Sequence, residues 1–390
     1  MKTYLTLSLL SALAIVPSTA MAQDEEPVFK FTPAGRILVD GAFYGPDGDG
    51  FADGMAIPDV RLGGKASYGN WSGKIDIGYG FGKLSMKDVF IQYKFNENNL
   101  IKAGYFVHQF GLNAGTSSSM KPSMEVSTCD TYFNATGRNL GIQYVYDKDK
   151  AFIGLSFLCG TNITKPMSDY GKASVGATTR LVWRPYHETG KVVQIGASGW
   201  YQSAMHEMIE GEDGEKHVSP GYFDFSAQFP TRVVKVNMLG ANVSNAKGLV
   251  KISPEFLFSK DRIALEGQYY YMNVQRKDGL KSYKAQGVYG LLRGLICGSD
   301  SYGYSHADAC LATPAPKTLE CVLGYSYTNG YDAKNGIYGG ISNDYSVTFN
   351  YYINKYLTAR LRYSYTNVWG SDEINKRHEN IIQARLMLKF

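Results

Sequence analysis

The sequence is poor in charged residues and proline and has few long apolar runs, which are features of several other classes of protein. Of its 390 residues only 19% are charged and 13 are proline, while 43 are glycine and 30 tyrosine, which excludes disordered, collagenous and coiled-coil chains. The only long apolar run is N-terminal, so the rest of the chain offers no candidate transmembrane helix. No CxxC pair, nucleophile elbow, phosphate loop or dinucleotide fingerprint is present. We therefore expect no cofactor, no metal site, no catalytic residues and no enzymatic activity.

The N-terminal run predicts a secretory signal peptide over residues 1–22. Lys2 precedes an apolar stretch at 5–16, and Ala20-Met21-Ala22 forms a small-x-small cleavage site. The apolar stretch is too short for a membrane anchor. Removing Lys2 turns 40 basic residues into 39 against 35 acidic ones, and this near-neutral balance argues against a nucleic-acid partner.

Five cysteines follow this segment, and export permits disulfides. Pairing of Cys297 with Cys310 and of Cys129 with Cys159 is one possibility, because these residues lie in or beside loops. Buried free thiols are the alternative.

The remainder of the chain alternates apolar and polar residues in short segments, which is typical of β-strands. Every second residue from Leu357 to Tyr365 is apolar or aromatic, whereas Thr, Arg and Ser lie between them. The same period of two runs from Ile382 to Phe390. No helical period persists for long, so the sequence predicts an all-β protein.

Tyrosine at the segment ends favours a transmembrane antiparallel β-barrel over residues 23–390 rather than a soluble sandwich. We count 18 candidate strands, of which 221–228 and 231–239 are weak. If that pair belongs to one long loop at 204–247, 16 strands remain, and 16 is our prediction. Tight turns alternate with longer loops, and the tight turns mark the periplasmic side. One long segment, 293–316, falls on the periplasmic side against this rule.

Several segments together resemble the phosphate-selective porin O and P family. The resemblance covers nearly all of the mature chain. The order of the motifs along the chain is more specific than any single motif. At position 109 the family tends to have proline, and this chain has Gln109. The motifs are Gly35–Asp40, Asp59–Gly64, Ile101–Leu112, Thr179–Pro185 and the strand pair 345–366.

The resemblance implies a homotrimeric 16-stranded channel in the outer membrane of a Gram-negative bacterium, surrounded by lipid, with one loop folded into the lumen. Loop 108–137 is the candidate for this constriction. An external loop without a role in the pore is the alternative. Phe390 ends an alternating strand, which resembles the signal recognised by barrel-insertion machinery.

Strand parity places basic side chains in the lumen. We assign 13 basic residues to that face against seven acidic ones, which predicts a preference for anionic solutes such as phosphate. A wall lattice in which these cations pair with carboxylates is the alternative. Arg360 and Arg362 have no acid nearby in sequence, so we expect them to contribute most to the field. The candidate pore-lining residues are Arg36, Arg61, Lys65, Lys74, Lys94, Lys102, Arg180, Arg360, Arg362 and Arg385.

Two other functions remain open at this stage. A surface adhesin or assembly barrel could use the long loops, and an outer-membrane barrel enzyme could carry a few catalytic residues at its rim. The acidic stretch that starts at Asp47 is similar to a calcium loop, but Phe51 and Pro58 stand at ligand positions, so we interpret it as a polar hairpin loop. A passive channel for small hydrophilic solutes is the interpretation that the whole pattern favours.

Overall fold

The computed structural model describes residues 27–45, 50–133, 137–160, 166–169, 171–211, 214–374 and 376–390. The predicted signal peptide at 1–22 and the start of the acidic loop at Asp47 lie outside these ranges. The described residues form 22 strands and two short α-helices. Their bounds are β1 Lys30–Tyr44, β2 Gly54–Tyr68, β3 Trp71–Gly80, β4 Lys83–Asn96, β5 Asn99–Val107, α1 Gly111–Gly115, α2 Thr128–Tyr132, β6 Arg138–Lys148, β7 Ala151–Cys159, β8 Val175–Glu188, β9 Lys191–Ser203, β10 Met208–Glu210, β11 Lys216–Val218, β12 Phe223–Gln228, β13 Asn237–Val243, β14 Ala246–Lys260, β15 Ile263–Arg276, β16 Tyr283–Cys297, β17 Tyr304–Ser305, β18 Cys310–Leu311, β19 Thr318–Asp332, β20 Ile337–Tyr352, β21 Leu357–Ser371 and β22 Lys376–Lys389.

Sixteen of these strands form one closed antiparallel barrel. Its order is β1 to β9, then β14 to β16, then β19 to β22, each strand paired with its neighbour along the chain. Strand β22 returns to β1 in a continuous register from Arg36 opposite Lys389 to Tyr44 opposite Ile381. Closure leaves the sheet without an unpaired edge. The predicted strand number and fold class are confirmed.

The three remaining strand pairs are hairpins inside the connections between barrel strands. The pairs are β10 with β11, β12 with β13 and β17 with β18. The second pair overlaps the two weak candidate segments at 223–228 and 237–239 and lies inside the connection between β9 and β14, so assigning both segments to one long loop is confirmed. Strand β16 runs to Cys297, five residues beyond its predicted end, and the long periplasmic connection therefore spans 298–317.

The barrel wall has an apolar outer face and a polar inner face. On β21 the outward Leu361 is 51% exposed, whereas the inward Arg360 and Arg362 are buried. This alternation suits strands that meet lipid on one side and protein or water on the other. Among the described residues, no helix has the length and apolar character needed to cross a membrane.

The structure resolves two open points from the sequence. Cys129, Cys297, Cys310 and Cys321 are free thiols, with Cys129 and Cys310 buried and Cys297 exposed, so neither the Cys297–Cys310 nor the Cys129–Cys159 disulfide is formed. Lys284 is one of the 13 basic residues that strand parity assigns to the lumen and is not among the ten candidate pore-lining residues; it is exposed on the opposite face of β16 from the buried Tyr283. Along β16 the buried, inward-facing residues are the odd-numbered ones from Tyr283 onward, so Lys284 faces outward.

Candidate pore

Inward-folded segments fill one side of the lumen. Two of them follow β5 and β9 on the external side: the inner loop, described at residues 108–133 and 137, and the long loop, described at residues 204–211 and 214–245. Phe110 and Phe133 of the inner loop pack in one buried apolar cluster with Phe225 of the long loop and with wall residues such as Tyr270. Phe133 stacks on Tyr270 at 5.3 Å between ring centroids. The lumen beside β14 to β22 is therefore a protein core.

The inner loop reaches the wall because its first helical residue is glycine. Gly111 has a φ of +81°, and a Cβ there would lie 1.7 Å from Nε2 of Gln268 on β15. Its backbone N–H donates to Ser198 Oγ at 2.9 Å, and Asn113 N–H donates to Gln268 Oε1 at 3.2 Å. The predicted placement of loop 108–137 inside the barrel agrees with these contacts.

Burial within the inner loop shifts the pKa values of its ionisable groups. Lys121 donates from Nζ to the carbonyl oxygen of Asn113 at 2.7 Å, and burial lowers its pKa to about 8. Burial raises the pKa of Asp130, although Asp130 accepts hydrogen bonds from Tyr270 and Asn113. Burial also lowers the pKa of His108 to about 4. The loop is thus packed as an interior segment.

The open half of the lumen lies beside β1 to β6. Two cavities of about 530 Å³ each occur there, and both are lined by Lys102, Gln109 and Asp308. The lining of one includes residues 69–70 and 97–98 of the periplasmic turns, and the lining of the other includes Arg138 at the external end of β6. We call the cations that line these cavities the basic track. They are Arg36, Arg61, Lys65, Lys74, Lys94, Lys102, Lys121, Arg138, Arg232 and Lys389.

Ten basic residues line these cavities against five acidic ones, namely Asp76, Asp88, Glu97, Asp147 and Asp308. Of the ten residues predicted to line the pore, six belong to the basic track: Arg36, Arg61, Lys65, Lys74, Lys94 and Lys102. The other four, Arg180, Arg360, Arg362 and Arg385, line neither cavity. Strand parity identifies the inward face correctly at these positions but does not show which parts of that face are covered by loops.

Part of the basic track forms ion pairs along the wall. Arg36 and Arg61 both bind Asp59, the latter at 2.9 Å. Asp88 binds Lys74 at 2.9 Å and Arg138 at 2.7 Å. Carboxylates offset the positive charge of these four residues, as expected if the cations of the wall pair with carboxylates in a lattice.

Lys102 has a different environment. Its Nζ lies 4.7 Å from the ring centroid of Phe90 and 5.0 Å from that of Phe106. Within the described residues it forms no ion pair, and the same is true of Lys65 and Lys94. These three lysines keep their charge available to a solute in the cavities.

The four arginines that line neither cavity hold the inward segments in place. These residues are Arg180, Arg360, Arg362 and Arg385. Arg360 donates to the carbonyl oxygens of Lys121 at 2.9 Å and Ser123 at 3.2 Å. Arg385 donates to the carbonyl oxygen of Met124 and pairs with Asp40 at 2.6 Å. The inner loop is therefore fixed to β21 and β22 through its backbone.

The expectation that Arg360 and Arg362 dominate the field of the pore needs correction. Arg362 binds Asp344 on the neighbouring strand β20 at 3.0 Å and donates to the carbonyl oxygen of Pro230 at 3.1 Å. An acid that is distant in sequence is adjacent across the sheet, so the absence of a local acid was misleading. Both guanidinium groups are covered by loops and have anchoring contacts.

Strand alternation identifies neither Arg293 nor two of the charges that connections bring to the cavities, Arg232 and Asp308. Arg293 lies between Glu320 at 2.9 Å and Glu266 at 3.1 Å. The phase that places Lys284 in the lumen would place Arg293 on the outer face, so only the observed phase of β16, with Tyr283 inward, identifies Arg293 as a lumen residue. Arg232 of the long loop and Asp308 of the periplasmic segment line the open cavities, and no sequence pattern marks either of them.

Comparison with known proteins gives one family match. The family model described as phosphate-selective porin O and P matches residues 63–390. No curated protein matches the chain.

Solved structures show the same fold at low sequence identity. An anion-selective porin from Comamonas acidovorans has a TM-score of 0.58 and 10% identity, covering 93% of this chain and 100% of that one. The outer membrane channel DcaP of Acinetobacter baumannii has a TM-score of 0.56 and 13% identity, covering 93% and 97%. A trimer form of OmpT from Vibrio cholerae has a TM-score of 0.55 and 10% identity, covering 93% and 99%.

Anchoring of the inner loop by Arg360 can be tested by proteolysis. A hydrogen bond from a charged donor contributes about 1.5–3 kcal/mol, so Arg360→Met should make local opening of the loop about tenfold more frequent or greater. Glu125 is 8% exposed in the intact protein. We expect endoproteinase Glu-C to cut the folded variant after Glu125 and to leave that bond intact in the wild type.

Lys284→Met is the matched control, because it removes a cation from the outer face of the barrel. It should leave the bond after Glu125 protected. Equal protection of Arg360→Met, in a barrel that still shows heat-dependent mobility on gels, would contradict the anchoring role.

Proposed function

This chain belongs to the phosphate-selective porin O and P family and forms a channel in the outer membrane of a Gram-negative bacterium, and we propose that it passes small hydrophilic anions, phosphate among them, along the basic track. The proposal is for passive diffusion and includes no catalytic step. The observation that carries it is the ratio of ten basic to five acidic residues around the open cavities. A cationic lining with protein walls lowers the barrier for anions and raises it for cations.

The ion pairs along the wall reduce this field without removing it. Asp59 lies between Arg36 and Arg61, so this group retains a net positive charge, whereas Lys74 and Arg138 are balanced by Asp76 and Asp88. Lys65, Lys94 and Lys102 add charge that no described carboxylate neutralises within ion-pair distance. The anion-selective neighbour from Comamonas acidovorans supports the same sign of selectivity.

Selectivity for phosphate over other anions has weaker support than anion preference. Bidentate binding of phosphate would use an arginine fork, but Arg36, Arg61 and Arg138 already bind aspartate. Phosphate would have to compete with these carboxylates, whereas Lys102 offers a point charge to any anion. We therefore propose a general anion preference in which phosphate is one permeant solute.

The central test measures the reversal potential of Lys102→Gln in a KCl gradient. Loss of one unpaired charge near the permeating ion corresponds to about 1 kcal/mol or less in a hydrated site, so the chloride-to-potassium permeability ratio should fall by about two- to fivefold. The difference should shrink in 1 M salt as screening grows.

Lys284→Gln provides the control, since its side chain is exposed on the outer face. Its reversal potential should equal that of the wild type. A wild-type channel that prefers potassium in the same gradient would refute the proposed anion preference.

We also propose that the protein is a homotrimer embedded in outer-membrane lipid and that insertion machinery recognises β22 during assembly. The trimer form of OmpT supports the first point. For the second, Phe390 pairs with Gly35 through backbone hydrogen bonds of 2.9 and 3.1 Å and is 49% exposed. A Cβ on Gly35 would lie 2.4 Å from the Phe390 ring, so the ring covers the seam between β1 and β22.

Phe390→Ala distinguishes recognition by insertion machinery from a purely structural role. We expect it to lower the yield of heat-resistant barrel in cells while leaving folding of purified protein into lipid vesicles nearly unchanged. Phe349→Ala removes an outward aromatic ring of similar exposure, 40%, and should preserve the yield in cells. Equal yields of Phe390→Ala and wild type in cells would remove the proposed recognition.

A further inference from the structure

The long periplasmic connection, residues 298–317, enters the barrel and packs against its inner wall. Tyr302 is fully buried, donates from its hydroxyl to Glu320 at 2.9 Å and lies 4.9 Å from the guanidinium carbon of Arg293. Cys310 and Leu311 pack in a buried cluster that includes Leu112 of the inner loop. The segment is thus a second inward-folded element, which reaches the inner loop from the opposite side of the membrane.

The tip of this segment is a short hairpin, β17–β18, whose backbone is fixed by a buried arginine. Arg180 donates from Nη1 to the carbonyl oxygen of Asp308 at 3.1 Å and from Nη2 to that of Ala309 at 3.0 Å. Gln194 also donates to the Ala309 carbonyl oxygen, at 3.0 Å. Arg180 itself is held by Glu255 at 2.8 Å. The anchoring contacts use main-chain oxygens, so they do not require the Asp308 carboxylate.

The Asp308 side chain lies where the two open cavities meet. It lines both of them, as do Lys102 and Gln109. Its carboxylate accepts one hydrogen bond, from Ser305 Oγ at 3.0 Å, and forms no ion pair with the described residues. A fixed negative charge therefore stands in the open half of the lumen beside the unpaired Lys102.

We propose that Asp308 is a specificity-determining residue of the channel, acting as a fixed negative charge that shares the cavity lining with Lys102 and weakens the attraction of Lys102 for a permeating anion. This inference rests on the proposed anion pathway. Conduction requires binding that is favourable enough for entry and weak enough for exit. A carboxylate on a fixed hairpin meets both needs, because Lys102 attracts the anion on entry and the negative charge of Asp308 prevents the anion from being held too tightly.

The test compares Asp308→Asn with Asp300→Asn in planar bilayers. Asp300 belongs to the same periplasmic segment, but its side chain is 87% exposed and pairs with Arg262. Asp308→Asn should raise the chloride-to-potassium permeability ratio by about two- to fivefold, the scale expected for one nearby charge. It should also strengthen block of the chloride current by inorganic phosphate, whereas Asp300→Asn should change neither quantity.

Two further variants keep the result interpretable. Asp308→Glu retains the charge and should behave like the wild type, and Asp308→Ser replaces Asp308→Asn if the latter does not give a heat-resistant barrel. In the double variant Lys102→Gln/Asp308→Asn, the two effects should be non-additive because the side chains act on each other.

The outcomes separate this inference from the proposed function. An anion-selective wild type with an unchanged Asp308→Asn variant overturns the role of Asp308 and leaves the anion channel standing. A cation-selective wild type overturns the anion channel. In that case Asp308 keeps its role only if Asp308→Asn still shifts the reversal potential toward anions.

Discussion

Buried guanidinium groups and the backbone carbonyl oxygens that they bind determine how this barrel is filled. A barrel of 16 strands has more interior than its own side chains can fill, and arginines on the inner face cannot be left desolvated without partners. Arg180, Arg360, Arg362 and Arg385 each bind at least one carboxylate or main-chain oxygen of a segment that folds inward. The oxygen atoms of the inward-folded segments accept hydrogen bonds from the buried guanidinium groups, and the same hydrogen bonds hold those segments in place.

The inward-folded segments divide the lumen into a packed half and an open half. Apolar residues of the inner loop and the long loop complete a core against β14 to β22, with side chains such as Phe133 and Tyr283 fully buried. Solvent is left beside β1 to β6, where lysine and arginine outnumber aspartate and glutamate. The channel chemistry therefore depends on where the loops do not pack, and the same type of residue anchors a loop on one side and attracts solutes on the other.

The strand alternation was sufficient to predict the fold from the sequence. Each strand buries one face and exposes the other, so the period of two survives in the sequence of β21 and β22, and dropping one weak pair gave the correct strand number. Site residues were harder to predict. Whether Arg61 faces water or Arg362 faces a loop depends on contacts between residues such as Arg362 and Pro230, which lie far apart in sequence.

Two errors at the site have different physical origins. Lys284 was assigned to the wrong face because a strand that begins one residue out of phase reverses every side chain along it. Asp308 was overlooked because the alternation rule describes strands, whereas this carboxylate is carried into the lumen by a connection. The one indication in the sequence was the long segment 293–316 on the periplasmic side, where tight turns are expected. That indication located the segment but did not suggest what it does.

Cysteine accessibility tests the central claim, that ions pass through the half of the lumen beside β1 to β6. Gln92 lines one of the open cavities, and Ser364 is fully buried in the packed half. An anionic thiol reagent added to the open channel should reduce the current through Gln92→Cys and leave Ser364→Cys at the wild-type current. Block of Ser364→Cys together with an unaffected Gln92→Cys would place the permeation path in the other half and contradict the account.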